Sequence, residues 1–249
     1  MPSSTKTVIA ISGFLGRPQD WSLIENLLPA GWQLHAIDLW KETRFDNYND
    51  WATAFTEQVA RTVAGPKVLL GYSMGGRLAL HALLKNPDLF QGAVIVSSNP
   101  GLTTEDERSL RRMADEVWAS KFLKDPWDQV LSEWNAQAAL RPPKSPRAEL
   151  IPLNRQESDF NRASLAQVLR TWSLGLQRDL RPDVNALKMP IELVTGEDDV
   201  KFTSLTREWM KATSSGVRTH SIVPNAGHRV PWDAPVQFRA ILANFLSRW

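Results

Sequence analysis

The chain has 249 residues, 43% of them apolar and 22% charged, which is enough length and apolar mass for one large globular domain and argues against disorder. Lys and Arg outnumber Asp and Glu by only 29 to 27, and no run of like charge occurs, so a nucleic-acid partner has no support. Cysteine is absent, which excludes a disulfide scaffold and a thiolate metal site. The first residues, Met1 to Thr7, are polar and lack the basic start, long apolar stretch and cleavage pattern of a signal peptide. No stretch approaches the roughly 20 apolar residues of a membrane helix, so a cytoplasmic protein with no membrane partner is the expectation.

In chain order, Val8 to Ile11 reads as a first strand that runs into Ser12-Gly13-Phe14. A helix is predicted from about Trp21, with Asp20 as its N-cap. Leu34 to Leu39 reads as a strand. Asn49 to Val63 reads as a helix, because Trp51, Phe55, Val59 and Val63 recur four apart on one face. Lys67 to Tyr72 is almost continuously apolar, as strands buried on both faces of a parallel sheet are. Met74 to Lys85 follows as a helix. Strands are then expected over Ala93 to Ser97, Ile191 to Thr195 and His220 to Val223, with a closing helix from Pro235 to Leu246. Strand, crossover helix, strand is the signature of a doubly wound, mostly parallel α/β sheet. The interval 101–183 breaks that rhythm. It reads as helices with a loop at Pro142, Pro143 and Pro146, and so as a helical cap on a core formed by 1–100 and 184–249. Open α/β sheets bind ligands at the carboxyl ends of their strands, the end such a cap would cover.

The strongest local pattern is Gly71-Tyr72-Ser73-Met74-Gly75-Gly76, a G-x-S-x-G sequence placed between a predicted buried strand and a predicted helix. A serine in that turn is a candidate nucleophile or base, with a helix N-terminus beneath it that favours negative charge. A serine hydroxyl needs a base. Of the four histidines, His35 and His81 fall within elements and His220 begins a strand. His228, in Asn225-Ala226-Gly227-His228, lies in the loop between the last strand and the last helix. The orienting acid is expected after the strand before that, where Glu197, Asp198 and Asp199 compete. Charge developing on an oxygen would need two backbone N–H donors, and Met74 and Phe14 are the candidates.

These stretches together resemble the α/β-hydrolase superfamily over the whole chain. More narrowly they resemble the 2-succinyl-6-hydroxy-2,4-cyclohexadiene-1-carboxylate synthase family of menaquinone biosynthesis. The narrower likeness rests on Arg77 after the elbow, Asn99-Pro100-Gly101-Leu102, Glu107-Arg108-Ser109-Leu110-Arg111-Arg112, and Phe122-Leu123-Lys124-Asp125-Pro126 with Trp134. It also rests on Ser173-Leu174-Gly175-Leu176-Gln177, Asp179-Leu180-Arg181, Gly196-Glu197-Asp198-Asp199-Val200-Lys201-Phe202 and Ala226-Gly227-His228. The resemblance implies a Ser73–Asp199–His228 triad, with Asp198 as the fallback acid, and a lyase that eliminates pyruvate from a small anionic polycarboxylate. It implies substrate contacts at Tyr72, Arg77, Arg111 and Trp134, and a third arginine at Arg155 or, second, Arg162. No metal or organic cofactor is implied. Two departures stand out: Ser12-Gly13-Phe14 where the family carries His-Gly-Phe, and Leu39-Trp40-Lys41-Glu42-Thr43-Arg44 where it tends to a glycine-rich loop. A carboxylesterase with the same triad, and a catalytically silent binding protein on the same fold, are the competing readings, because one fold hosts many chemistries.

Overall fold

A computed structural model describes residues 5–40, 45–141, 155–213 and 217–249. Six parallel strands form one sheet: β1 (Lys6–Ile11), β2 (Trp32–Ala36), β3 (Lys67–Tyr72), β4 (Gly92–Val96), β5 (Ile191–Gly196) and β6 (Arg218–Val223). Their spatial order is β2-β1-β3-β4-β5-β6, with every neighbouring pair parallel. After β1 the chain turns to one side to make β2, then crosses to the other side to make β3. The loops leaving β1 and β3 therefore part at the sheet's switch point, where open α/β sheets leave a crevice.

Side chains of the central strands alternate between two cores, as the two-residue period of a strand requires. Ile9, Ile11, Leu69 and Ile95 face one core, built with α2 (Tyr48–Thr62), α3 (Met74–Lys85), α7 (Arg181–Ala186) and α8 (Val200–Lys211). Val8, Val68, Leu70, Val94 and Val96 face the other, closed by α1 (Ser22–Glu25), α9 (Val230–Asp233) and α10 (Pro235–Leu246). A third apolar cluster joins α4 (Glu105–Lys124), α5 (Trp127–Asn135) and α6 (Arg162–Thr171) through Phe122, Trp127, Val130, Leu165 and Leu169. A capping box starts α4: the Thr104 side chain accepts from Glu107 N–H while the Glu107 carboxylate reaches back to Thr104 N–H. Leu15 and Phe14 from the β1 loop insert into this cluster, so the helices sit directly over the carboxyl end of the sheet.

Three expectations need adjustment. Asp20 is not an N-cap: it lies inside a single 3-10 turn, Pro18–Trp21, that leads into the short α1. Its carboxylate accepts from Arg17 N–H and from the distant Arg155, and that tertiary ion pair outweighs the local capping preference. β2 ends at Ala36 rather than Leu39, and β6 begins at Arg218, two residues before His220. The Pro142–Pro146 loop and the segment 41–44 lie outside the described residues. Among those described, no helix is long and apolar enough to cross a membrane.

Candidate active site

Ser73 occupies the turn between β3 and α3 at φ 53° and ψ −113°, a region that side chains disfavour. Its surroundings hold it there. Ser73 N–H donates to Val96 O at 2.8 Å, and the Ser98 hydroxyl donates to Ser73 O at 2.8 Å. The flanking glycines let three backbones meet. A Cβ on Gly71 would lie 2.6 Å from Gly76 Cα, and one on Gly75 would lie 2.2 Å from Ile11 O. The result presents the Ser73 hydroxyl at the carboxyl end of the sheet, with the first turn of α3 behind it.

The Ser73 hydroxyl is 3.0 Å from His228 Nε2, and His228 Nδ1–H donates to Asp199 Oδ2 at 2.7 Å. This pairing makes Nε2 the free acceptor that can take the serine proton. Asp199 and His228 are 4% and 3% exposed, so the hydrogen bond between them is shielded from water. Asp199 caps α8, accepting weakly from Phe202 N–H at 3.5 Å. Asp198 N–H donates to Ala226 O, which ties the acid turn to the histidine loop. Of the three competing carboxylates, Asp199 is the one seen hydrogen-bonded to the imidazole. Glu197 is exposed and accepts from Asn225 N–H. The imidazole packs, tilted, against the rings of Phe202 (centroids 4.5 Å apart) and Tyr72 (5.6 Å).

Met74 N–H opens α3, so it has no intrahelical acceptor. Phe14 follows Gly13 in the β1 loop beside the elbow, where a Cβ on Gly13 would lie 3.2 Å from Ser73 Cβ. Both residues line the space around Ser73. That space has two lobes that share Phe14, Ser73 and Trp134. One, of about 540 Å³, contains Met74, Arg77, Arg111 and Asp115. The other, of about 600 Å³, contains Tyr72, Asp20, Arg155, Arg229 and Trp232. Trp134 packs with its ring centroid 4.7 Å from that of Phe14 and lines both lobes.

The five candidate substrate residues all reach this space, in different states. Arg77 is buried; its Nη1 donates to Trp172 O at 2.8 Å and to the Tyr48 hydroxyl. Burial pushes the Tyr48 hydroxyl up to about 12, despite the lowering effect of Arg77, so it stays a neutral acceptor. Arg111 uses its Nε on both oxygens of the buried Asp115, each at 2.9 Å, and Ser173 Oγ–H donates to the same carboxylate. Two cations against one carboxylate leave this lobe positive. Tyr72 packs against the imidazole, and burial raises its hydroxyl pKa. Arg155 lines the second lobe but makes a bidentate bond to Asp20, at 2.9 and 2.6 Å. Arg162, the alternative to Arg155, is committed to the carbonyls of Phe122 and Asp125 and to Glu157.

Residues 8–241 match the model of the alpha/beta hydrolase family. A curated relative, 2-succinyl-6-hydroxy-2,4-cyclohexadiene-1-carboxylate synthase of Serratia proteamaculans (strain 568), is 34% identical over 252 residues, covering 96% of this chain and 92% of that protein. The enzyme of the same name from Enterobacter sp. (strain 638) is 32% identical, covering 96% and 91%. The chain belongs to the alpha/beta hydrolase family, in the branch of these synthases. Among solved structures, MenH from S. aureus superimposes with a TM-score of 0.86 at 19% identity, covering 99% of this chain and 95% of the other. The carboxylesterase CesB from Bacillus subtilis superimposes with a TM-score of 0.69 at 16% identity, covering 100% and 86%. At these identities the structural likenesses establish the fold alone.

Sequence reasoning passed over Arg229, Trp232 and Asp20. Arg229 directly follows the histidine, and Trp232 comes one helical turn later, so position next to His228 was the available signal. Asp20 had none, because its partner Arg155 is 135 residues away.

Proposed function

We propose that the protein is a carbon–oxygen lyase that eliminates pyruvate from a polycarboxylate menaquinone-pathway intermediate to give 2-succinyl-6-hydroxy-2,4-cyclohexadiene-1-carboxylate, with Ser73 as the base. The observation that carries this reading is the net positive lobe beside Ser73, where buried Arg77 and ion-paired Arg111 face the cavity. Guanidinium groups bind carboxylates in planar, two-point fashion, and an esterase for neutral esters gains nothing from them. The names of the curated relatives agree with it.

The arrangement of these groups supports a stepwise elimination. His228 Nε2 takes the hydroxyl proton of Ser73 as the serine oxygen removes a carbon-bound proton from the substrate. The electron pair left on carbon moves onto an adjacent carboxylate or carbonyl oxygen, where the N–H groups of Phe14 and Met74 stabilise the charge. The charge then returns to the ring as the carbon–oxygen bond to the pyruvyl group breaks. The leaving pyruvyl oxygen departs as the enolate of pyruvate, which is protonated on carbon. Asp199 holds the imidazole in the required tautomer and stabilises its cationic form. No bond to Ser73 forms, so no acyl-enzyme is made.

Ser73→Ala tests the assignment. Pyruvate release should fall by roughly 100- to 10,000-fold, the usual contribution of a positioned acid–base group, in a protein that still folds. Intact-mass measurement of the wild-type enzyme during turnover should show the unmodified chain. A folded Ser73→Ala variant with full turnover would remove Ser73 from the mechanism. A substrate-derived adduct on Ser73 would make the enzyme a nucleophilic hydrolase.

A further inference from the structure

We propose that Arg229 binds a carboxylate of the substrate in the lobe lined by Tyr72 and Trp232, so that the substrate's charges are divided between two lobes meeting at Ser73. This rests on the reading of the enzyme as one that acts on a polycarboxylate. It assigns the second lobe a ligand chemistry that Arg155 does not supply, since the Arg155 guanidinium is already neutralised by both oxygens of Asp20. Once that pair is set aside, Arg229 is the charged side chain left lining this lobe.

The side-chain hydrogen bonds of Arg229 go to neutral groups. Its Nη2 donates to Asn135 Oδ1 at 2.7 Å and its Nη1 to Leu140 O at 3.1 Å, both neutral acceptors on the cap side. It also hydrogen-bonds the Tyr72 hydroxyl, which burial keeps neutral. The nearby carboxyl of Asp233 interacts with the Arg229 charge from outside the lobe, and it accepts from the backbone N–H groups of Gly227, at 2.9 Å, and of Arg229. Trp232, Trp134, Leu131 and Leu140 are apolar walls of the same lobe. A half-buried cation whose side chain bonds only neutral groups loses hydration that the Asp233 carboxyl, outside the lobe, offsets only in part, and a bound carboxylate supplies a direct partner inside it. Ser73 lines the same lobe, so an anion on Arg229 shares a cavity with the base.

The test compares full-length wild type with Arg229→Gln and Arg229→Lys. It reads steady-state pyruvate release, calorimetric binding of the anionic cyclohexadiene product, and the melting temperature. Arg229→Gln should raise KM and the product Kd about ten-fold or more, with a smaller loss in kcat. Arg229→Lys, which keeps the charge, should recover part of both. Unchanged KM and Kd in a folded Arg229→Gln variant would overturn the inference. A loss confined to kcat would also overturn it, leaving Arg229 as a brace between the cap and the histidine loop. Absence of pyruvate release by the wild type would instead defeat the functional reading, and this inference with it.

Discussion

Ser73 carries the main cost of the site. Its φ of 53° with ψ of −113° is a conformation glycine tolerates and other residues resist, at about 1–3 kcal/mol. The strain is held by Ser98, by Val96 and by the close approach of α3 to the sheet. Ser73→Gly should therefore abolish turnover while leaving the melting temperature equal to or above that of wild type. Relief of strain exceeds the extra unfolded-state freedom of glycine, which costs about 0.5–1 kcal/mol. Differential scanning calorimetry checks this; a melting temperature several degrees lower would mean the turn is unstrained. At this scale the sequence was informative where chemistry is local. Ser73 and His228 could be found from the residues around them. Asp199 could be separated from Asp198 and Glu197 only by family likeness, because the choice depends on which carboxylate lies nearest a histidine 29 residues away.

At the scale of elements, the elbow works because α3 starts against β1. The Gly75 Cα faces the carbonyls of Ile11 and Ser12, and a Cβ there would sit 2.2 and 2.4 Å from their oxygens. Backbone cannot step aside as a flexible side chain can. Gly75→Ala should cost at least about 1–3 kcal/mol and displace the first turn of α3, lowering turnover together with stability. Urea unfolding and pyruvate release measured on one preparation check it; wild-type values of both would show that the contact relaxes freely. Strands and helices of the core were legible because their periods differ: continuous apolar runs gave β3 and β4, and four-residue spacing gave α2. Asp20 was misread because capping preference is a local rule, whereas its carboxylate answers to Arg155 across the fold. The lobes were illegible for the same reason, since Arg77 and Arg229 come from segments far apart in the chain.

Across the whole molecule, burial of uncharged histidine sets an acid limit on stability. His81 stacks on Tyr48 at 4.4 Å between ring centroids, and burial with the nearby Arg77 pushes its pKa down to about 4. Above pH ~6.5 the ring is neutral in both folded and unfolded chains and has no effect. As pH falls from there toward 4, the unfolded chain takes up a proton that the folded one refuses, so stability is lost. His81→Gln should therefore gain melting temperature relative to wild type as pH falls from 7 to about 4.5. A difference that stays constant with pH would show that His81 protonates freely in the folded state.

The same scale holds the functional claim: a hydrolase fold whose triad serves an elimination. The most direct test is to give the purified enzyme the pyruvate-bearing menaquinone intermediate and follow pyruvate release together with the change in ring absorbance, with p-nitrophenyl acetate as a parallel substrate. Fast pyruvate release with negligible ester cleavage is the predicted result. Brisk ester cleavage with no pyruvate would contradict it and would leave the arginines of both lobes in need of another anion.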